Sequence, residues 1–114
     1  MKEFIKVMKA VSDPVRVKIL KMLQKKVMCV CEIQVALSTS QPNASKHLKL
    51  LEDAGLISYN KDGLWVNYSL TNGAQNPYAA NILGNLKYWL EDDQEISQLI
   101  ERLPGINREE IRGK

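Results

Sequence analysis

The stretch Ser38-Thr39-Ser40-Gln41-Pro42-Asn43-Ala44-Ser45-Lys46-His47-Leu48-Lys49-Leu50-Leu51-Glu52-Asp53-Ala54-Gly55 decides how this chain is organised. Three hydroxyl residues make a turn. Ser40 is a good N-cap, and Pro42 falls in the first helical turn, where its missing N–H costs nothing. A helix is therefore expected from about residue 41 to 54, with Gly55 ending it as the residue after the cap. At about 100° per residue, Ala44, His47, Leu48, Leu50, Leu51 and Ala54 share one arc. Gln41, Pro42, Ser45, Lys46, Lys49, Glu52 and Asp53 share the other, so one face is built for a core and the opposite face for a polar partner.

Upstream, the apolar run Val27 to Val30 leads into a brief helix from about Cys31 to Leu37. Downstream, Leu56 to Tyr59 and Leu64 to Leu70 are rich in β-formers and are joined by Asn60-Lys61-Asp62-Gly63 with its Asp-Gly turn signal, a β-hairpin over about residues 56–70. Phe4, Ile5, Met8 and Val11 recur at helical spacing over about residues 3–11. Ser12-Asp13-Pro14 stops that helix and starts the next, with Asp13 as N-cap and Val15, Ile19, Met22 and Leu23 as its buried face. From 77 to 103 one long helix is expected, carrying Ile82, Leu86, Trp89, Ile96, Ile100 and Leu103 along a seam that only Asp93 interrupts. The charged tail after Pro104-Gly105 reads as loose. Seams on both end helices want a partner, and a second copy placed against Phe4, Met8, Ile82, Trp89 and Ile96 would cover them.

With 114 residues, 45% of them hydrophobic and 25% charged, the chain fits one domain over residues 1–114, mainly α with a small β-hairpin wing. No apolar run approaches the roughly 18 residues of a membrane span, and the opening Met1-Lys2-Glu3-Phe4 is too polar for a signal peptide, so a soluble, cytoplasmic protein without a membrane partner is expected. Cys29 and Cys31 are too close in sequence for an unstrained disulfide and read as reduced thiols. The net charge of +3 is uneven: residues 1–57 hold ten Lys/Arg against five Asp/Glu, residues 58–114 six against eight. An anionic partner belongs at the basic half.

Two short helices joined by a three-residue turn and followed by a hairpin form a winged helix-turn-helix, whose second helix fits the major groove of double-stranded DNA. Gln41, Ser45 and Lys46 lie outside the core near that helix's N-terminus and can reach base edges. Lys49, a turn further on, and Lys61, at the hairpin tip, suit phosphates. A winged helix can also be a protein-interaction module, and that alternative stays open. His47 reads as a packed, hydrogen-bonded structural histidine, Trp65 and Tyr68 as packing of the wing, and Trp89 as part of the seam. With one His, no glycine-rich phosphate loop and no nucleophile paired with a base, the chain is not read as an enzyme. On residue type alone, Cys29 and Cys31 are small buried hydrophobes.

Cys29-Val30-Cys31-Glu32-Ile33, the run from Gln41 to Ile57, the run from Gly63 to Leu70 and the Ser12-Asp13-Pro14-Val15-Arg16 start together resemble the ArsR family of metal-responsive bacterial repressors, over about residues 4–100. The resemblance implies a homodimer assembled through the first and last helices, placing two recognition helices on a palindromic operator and releasing it when an inducer binds. It also makes Cys29 and Cys31 the first two thiols of an inducer site for trivalent arsenic or antimony, with no obligatory cofactor; soft thiolates suit such a centre. Where the family usually has a third cysteine this chain has Gln34. Two thiolates with an external thiol or hydroxide, a redox or other soft-metal sensor, or no sensor at all therefore remain open. A second family site, with His and carboxylates on the last helix, is excluded because no His lies there. On a regular helix the side chains of residues 29 and 31 point about 200° apart, so both sulfurs can meet one ion only if the chain is extended or unwound at that point.

Overall fold

In the computed structural model, which describes residues 1–113, α1 (Lys2–Ala10) gives way to α2 (Pro14–Lys25) where Asp13 caps the second helix, its carboxylate accepting the N–H groups of Val15 at 2.8 Å and Arg16 at 3.2 Å. A two-residue strand β1 (Met28–Cys29) runs straight into α3 (Val30–Leu37), and a three-residue turn then leads to α4 (Gln41–Asp53). α4 ends as its sequence demands. Gly55 takes φ +80°, its N–H meets Glu52 O at 3.0 Å, and the N–H of Leu56 meets Leu51 O at 3.1 Å, a Schellman closure.

The wing is an antiparallel sheet in the order β1-β3-β2, built from β2 (Ile57–Asp62) and β3 (Trp65–Leu70) with β1 added on the far side of β3. The hairpin is tighter than the connection expected over residues 60–63. Asp62 pairs directly with Trp65, so the loop is only Gly63 and Leu64, with Gly63 at φ +61° as a two-residue turn of this kind requires. Asn60 and Lys61, expected in the loop, belong to β2. Val7, Ile19, Leu20, Met22, Met28, Ile33, Leu48, Leu51 and Leu56 fill the core, so every helix from α1 to α4 and the base of the wing contribute to one apolar centre.

The expected long helix over 77–103 is two helices, α5 (Pro77–Leu86) and α6 (Gln94–Arg102), separated by a turn in which Leu90 takes φ +62°. The physical reason lies on α2. Lys21 is fully buried, and its ammonium donates to Leu86 O at 3.0 Å, Trp89 O at 2.9 Å and Glu91 Oε2 at 2.8 Å. Those three acceptors satisfy all three of its donors and bend the chain around one cation. Asp93, which interrupted the seam, caps α6 by accepting the N–H of Ile96 at 3.0 Å. α6 then lies on α2, with Lys18 paired to Glu95. Ile96 consequently faces inward at 6% exposure and does not belong to an exposed dimer seam as expected. Nor is the tail loose: after the short 3₁₀ turn Leu103–Gly105, α7 (Arg108–Gly113) packs on α3.

Lys21→Met is expected to lower stability by roughly 1–3 kcal/mol, because it removes the ammonium donor from the buried carbonyl of Leu86 and the part-buried carbonyl of Trp89 while keeping most of the apolar stem. Urea unfolding at pH 7 measures it, and an unchanged midpoint would refute the role given to Lys21. Glu91→Gln should cost less, since that carboxylate is half in water. The hydrogen bond from Lys21 holds the Glu91 carboxyl below its ordinary pKa. Its contribution is therefore fully present above the usual carboxylate range and lost as pH falls through the lowered value, a loss the Gln variant should not show.

Candidate nucleic-acid interface and thiol pair

The turn between α3 and α4 is held by its own polar groups. Ser38 adopts a left-handed φ of 54°, the N–H of Thr39 donates to Gln34 O at 3.1 Å, and Ser40 Oγ accepts the N–H of Asn43 at 3.3 Å. α4 buries Ala44, Leu48 and Leu51 and exposes Gln41, Ser45, Lys46 and Lys49, as its sequence pattern predicts. Leu50 departs from that pattern: assigned to the apolar arc, it stands 41% exposed. Lys49 is held by its own helix, 3.3 Å from Asp53 and 3.8 Å from Glu52, and the hydrogen bond to Asp53 raises its pKa. Lys61 is exposed but sits in β2 opposite Val66, not at the tip, where Leu64 projects instead at 73% exposure. One exposed polar residue of the first turn escaped the helical wheel. Asn43 donates through Nδ2 to Thr39 Oγ1 at 2.8 Å, and its place in the first turn of the helix is the signal that could have found it.

His47 is half-buried and sits against Arg16, whose Nη1 lies 3.2 Å from His47 Nδ1. A guanidinium has only donors, so Nδ1 accepts. The same guanidinium donates to Ala10 O at 2.8 Å and Lys9 O at 3.1 Å, which ties the end of α1 to α4 through a residue on α2. The structural reading of His47 is what the contacts give; the role of Arg16 was not visible in the sequence.

Cys29 occupies both β1 and the N-cap of α3, with extended backbone (φ −86°, ψ 168°). Extension at that residue satisfies the requirement posed by the one-residue spacing, and the two sulfurs lie 2.7 Å apart without any unwinding of α3. Cys29 is buried and Cys31 half-buried. Burial pushes the Cys29 thiol up to about 12, helped by its hydrogen bond to Cys31 and by the nearby Glu32 carboxylate. That carboxylate, itself buried, accepts the N–H of Cys29 at 2.9 Å, receives Arg108 at 3.4 Å and faces Lys26 at 3.9 Å. Arg108 also lies over the Trp65 ring of the wing, 5.1 Å from its centroid, and Lys26 donates to Ile106 O at 3.1 Å. Gln34 lies further along α3. Among the described residues no group of three or more His, Cys, Asp or Glu converges, so the two sulfurs are the soft donors that the chain brings together for a metalloid centre. Two soft donors already convergent fit such a centre.

Of the residues expected in a dimer seam, Phe4 is 40% exposed with its ring edge-on to Tyr78 at 5.3 Å. Trp89 is 45% exposed in the turn after α5 rather than in a helix, while Met8 and Ile82 are partly buried against the core. Together with Ile5, these leave an apolar surface along α1 and the end of α5.

Residues 13–59 match the family described as bacterial regulatory protein, arsR family. The chain is 32% identical over 100 residues to the arsenical resistance operon repressor of Escherichia coli K12, a match covering 87% of this chain and 83% of that protein. It is 35% identical over 98 residues to a homologue of the cadmium resistance transcriptional regulatory protein CadC from Staphylococcus aureus, covering 85% of this chain and 64% of that one. In fold it resembles the homodimeric winged helix-turn-helix DNA-binding domain of Mb0332 from Mycobacterium bovis, with a TM-score of 0.65 at 21% identity over 82% of this chain and 83% of that one.

Alkylation with iodoacetamide at pH 8 should modify Cys31 well before Cys29, because thiolate is the reacting form and Cys29 is both buried and held protonated; equal rates by peptide mass mapping would contradict this. The folded state holds the Cys29 proton more tightly than the unfolded chain. Its contribution is thus intact below about pH 9 and declines as pH rises toward 12, a decline that Cys29→Ser should remove.

Proposed function

The chain belongs to the arsR family of bacterial regulatory proteins, a family of winged-helix transcriptional regulators and not of enzymes, and from that premise we propose that it is a homodimeric repressor released from a palindromic operator when trivalent arsenic or antimony binds Cys29 and Cys31. The observation that carries this reading is the pair of sulfurs 2.7 Å apart at the N-cap of α3, the helix that leads into α4. A two-fold dimer through the apolar surface that includes Phe4 and Trp89 would present two copies of α4, whose half-sites are expected about one turn of DNA apart, roughly 34 Å. Gln41, Ser45 and Lys46 then address base edges. Lys46 brings an exposed positive charge, whereas Lys49 must leave Asp53 to reach a phosphate. Lys61 approaches the backbone from the flank of the wing.

Occupation of the thiols reaches the DNA-facing surface by two short routes. β1 is paired with β3, so the backbone of Cys29 is hydrogen-bonded into the sheet of the wing. α3 is joined to Gln41 by only Ser38, Thr39 and Ser40. If the inducer favours the released shape, DNA must weaken inducer binding by the same factor, typically about 5- to 150-fold.

Operator binding measured across an arsenite series tests the reading. Cys29→Ser and Cys31→Ser should each keep operator affinity and lose most of the response; a double variant that still responds fully would remove the thiols from the mechanism. Parallel titrations with cadmium, zinc and an oxidant separate a metalloid sensor from another soft-metal or redox sensor. For the DNA surface, Gln41→Ala or Ser45→Ala should relax sequence preference at a cost of about 1–3 kcal/mol, while Lys61→Ala should weaken all duplexes alike and flatten the salt slope by about one unit. Unchanged affinity and preference in all three would mean that the DNA-facing surface lies elsewhere.

A further inference from the structure

The residue directly across the sheet from Cys29 is Asn67, the two being Cα partners in the β1–β3 ladder. Directly opposed residues of an antiparallel pair project from the same face with Cβ atoms about 4.5–5.5 Å apart. Asn67 therefore stands beside the first thiol. Its Oδ1 is out of contact with solvent and, among the described residues, meets no hydrogen-bond donor. A buried acceptor without a donor costs free energy, so native chains rarely keep one without a reason. Two residues away on the same face, Trp65 lies under Arg108, which also reaches Glu32, the acceptor of the Cys29 N–H. The orphaned oxygen thus lies next to a thiol pair beside which, among the described residues, no third His, Cys, Asp or Glu ligand converges.

We propose that Asn67 is the third protein contact of the inducer site, its Oδ1 accepting a hydrogen bond from the hydroxyl that trivalent arsenic retains when Cys29 and Cys31 alone hold it. The inference rests on the thiol pair proposed above. Arsenous acid, As(OH)₃, exchanges two hydroxyls for two thiols: two S–H and two As–O bonds break, two As–S bonds form, and two waters leave carrying the thiol protons. One As–OH remains, with no change of oxidation state. Its hydrogen is the donor that Asn67 lacks, and a carboxamide, unlike a third cysteine, contacts the centre through that hydroxyl. Asn67 is a positioning residue here, and because it belongs to β3 it ties occupation of the thiols to the wing.

The test compares two compounds that differ in the retained hydroxyl. A monosubstituted phenylarsenic(III) compound bound by two thiols has the phenyl carbon in the third position and no As–OH, whereas arsenite keeps one. With the full-length protein and direct titration, Asn67→Ala should weaken arsenite roughly tenfold, the size of one hydrogen bond, and leave the phenylarsenic compound unchanged. Asn67→Asp, which keeps an acceptor oxygen in the same place, should stay within about threefold of the wild type for arsenite. Equal losses for both compounds, or no loss for either, would overturn the role of Asn67. Failure of the thiol reading looks different: the wild type would bind the phenylarsenic compound no better than Cys29→Ser does, and the proposal would fall with it.

Discussion

A single buried cation sets the architecture of the C-terminal third. Lys21 comes from the middle of α2 and has no exposed surface, so its charge is tolerable only because three oxygens meet it. Two of the three are main-chain carbonyls at and just beyond the end of α5, where a helix has acceptors to spare and where positive charge is favoured by the helix dipole. Drawing those carbonyls and Glu91 to one point ends α5, turns the chain through Leu90 and lets α6 start on Asp93 against α2. The turn from residue 86 to 93 and the start of α6 are placed by that cation. So is the exposed apolar surface at Trp89, since the tryptophan's own carbonyl is one of the three ligands.

A second charge, Glu32, does for the wing what Lys21 does for the helices. It is buried at the first turn of α3, where a carboxylate completes a capping box with Cys29 standing where serine or threonine is usual. Its oxygens hold the N–H of Cys29 and draw in Arg108 and Lys26. Arg108 in turn covers Trp65. The thiol pair is therefore wired to the sheet by backbone pairing and to the C-terminal helix by a charge contact. On the proposed reading, a change of charge at the sulfurs would act on the same carboxylate that holds the C-terminal segment.

The polar face of α4 is legible in the amino-acid order because helical periodicity is a local property. Ser40, Pro42 and Gly55 fix where that helix starts and ends, and the 3.6-residue period assigns Ala44, Leu48 and Leu51 inward and Gln41, Ser45 and Lys46 outward. Leu50 is the exception because it lies on the edge of the arc, where the shape of the neighbouring surface decides burial. The hairpin is legible in kind but not in register. Asp62-Gly63 is a turn signal, but pairing of Asp62 with Trp65 shifts the two-residue loop to Gly63-Leu64 and draws Lys61 into the strand.

Local sequence suffices for the helix-turn-helix, the hairpin that follows it, the Asp13 and Ser40 caps and the family resemblance, all of which rest on neighbours within a few residues. The division of residues 77–103 is a matter of long-range contact, because a seam of apolar residues is compatible with one helix until a lysine 65 positions away in sequence binds Leu86 O. Packing between distant segments likewise turns Ile96 inward, docks the tail on α3 and sets Asn67 across from Cys29, a pairing that depends on strand register. The convergence of the two sulfurs lies between these cases. One-residue spacing demands an extended backbone at Cys29, and the pairing of β1 with β3 supplies it.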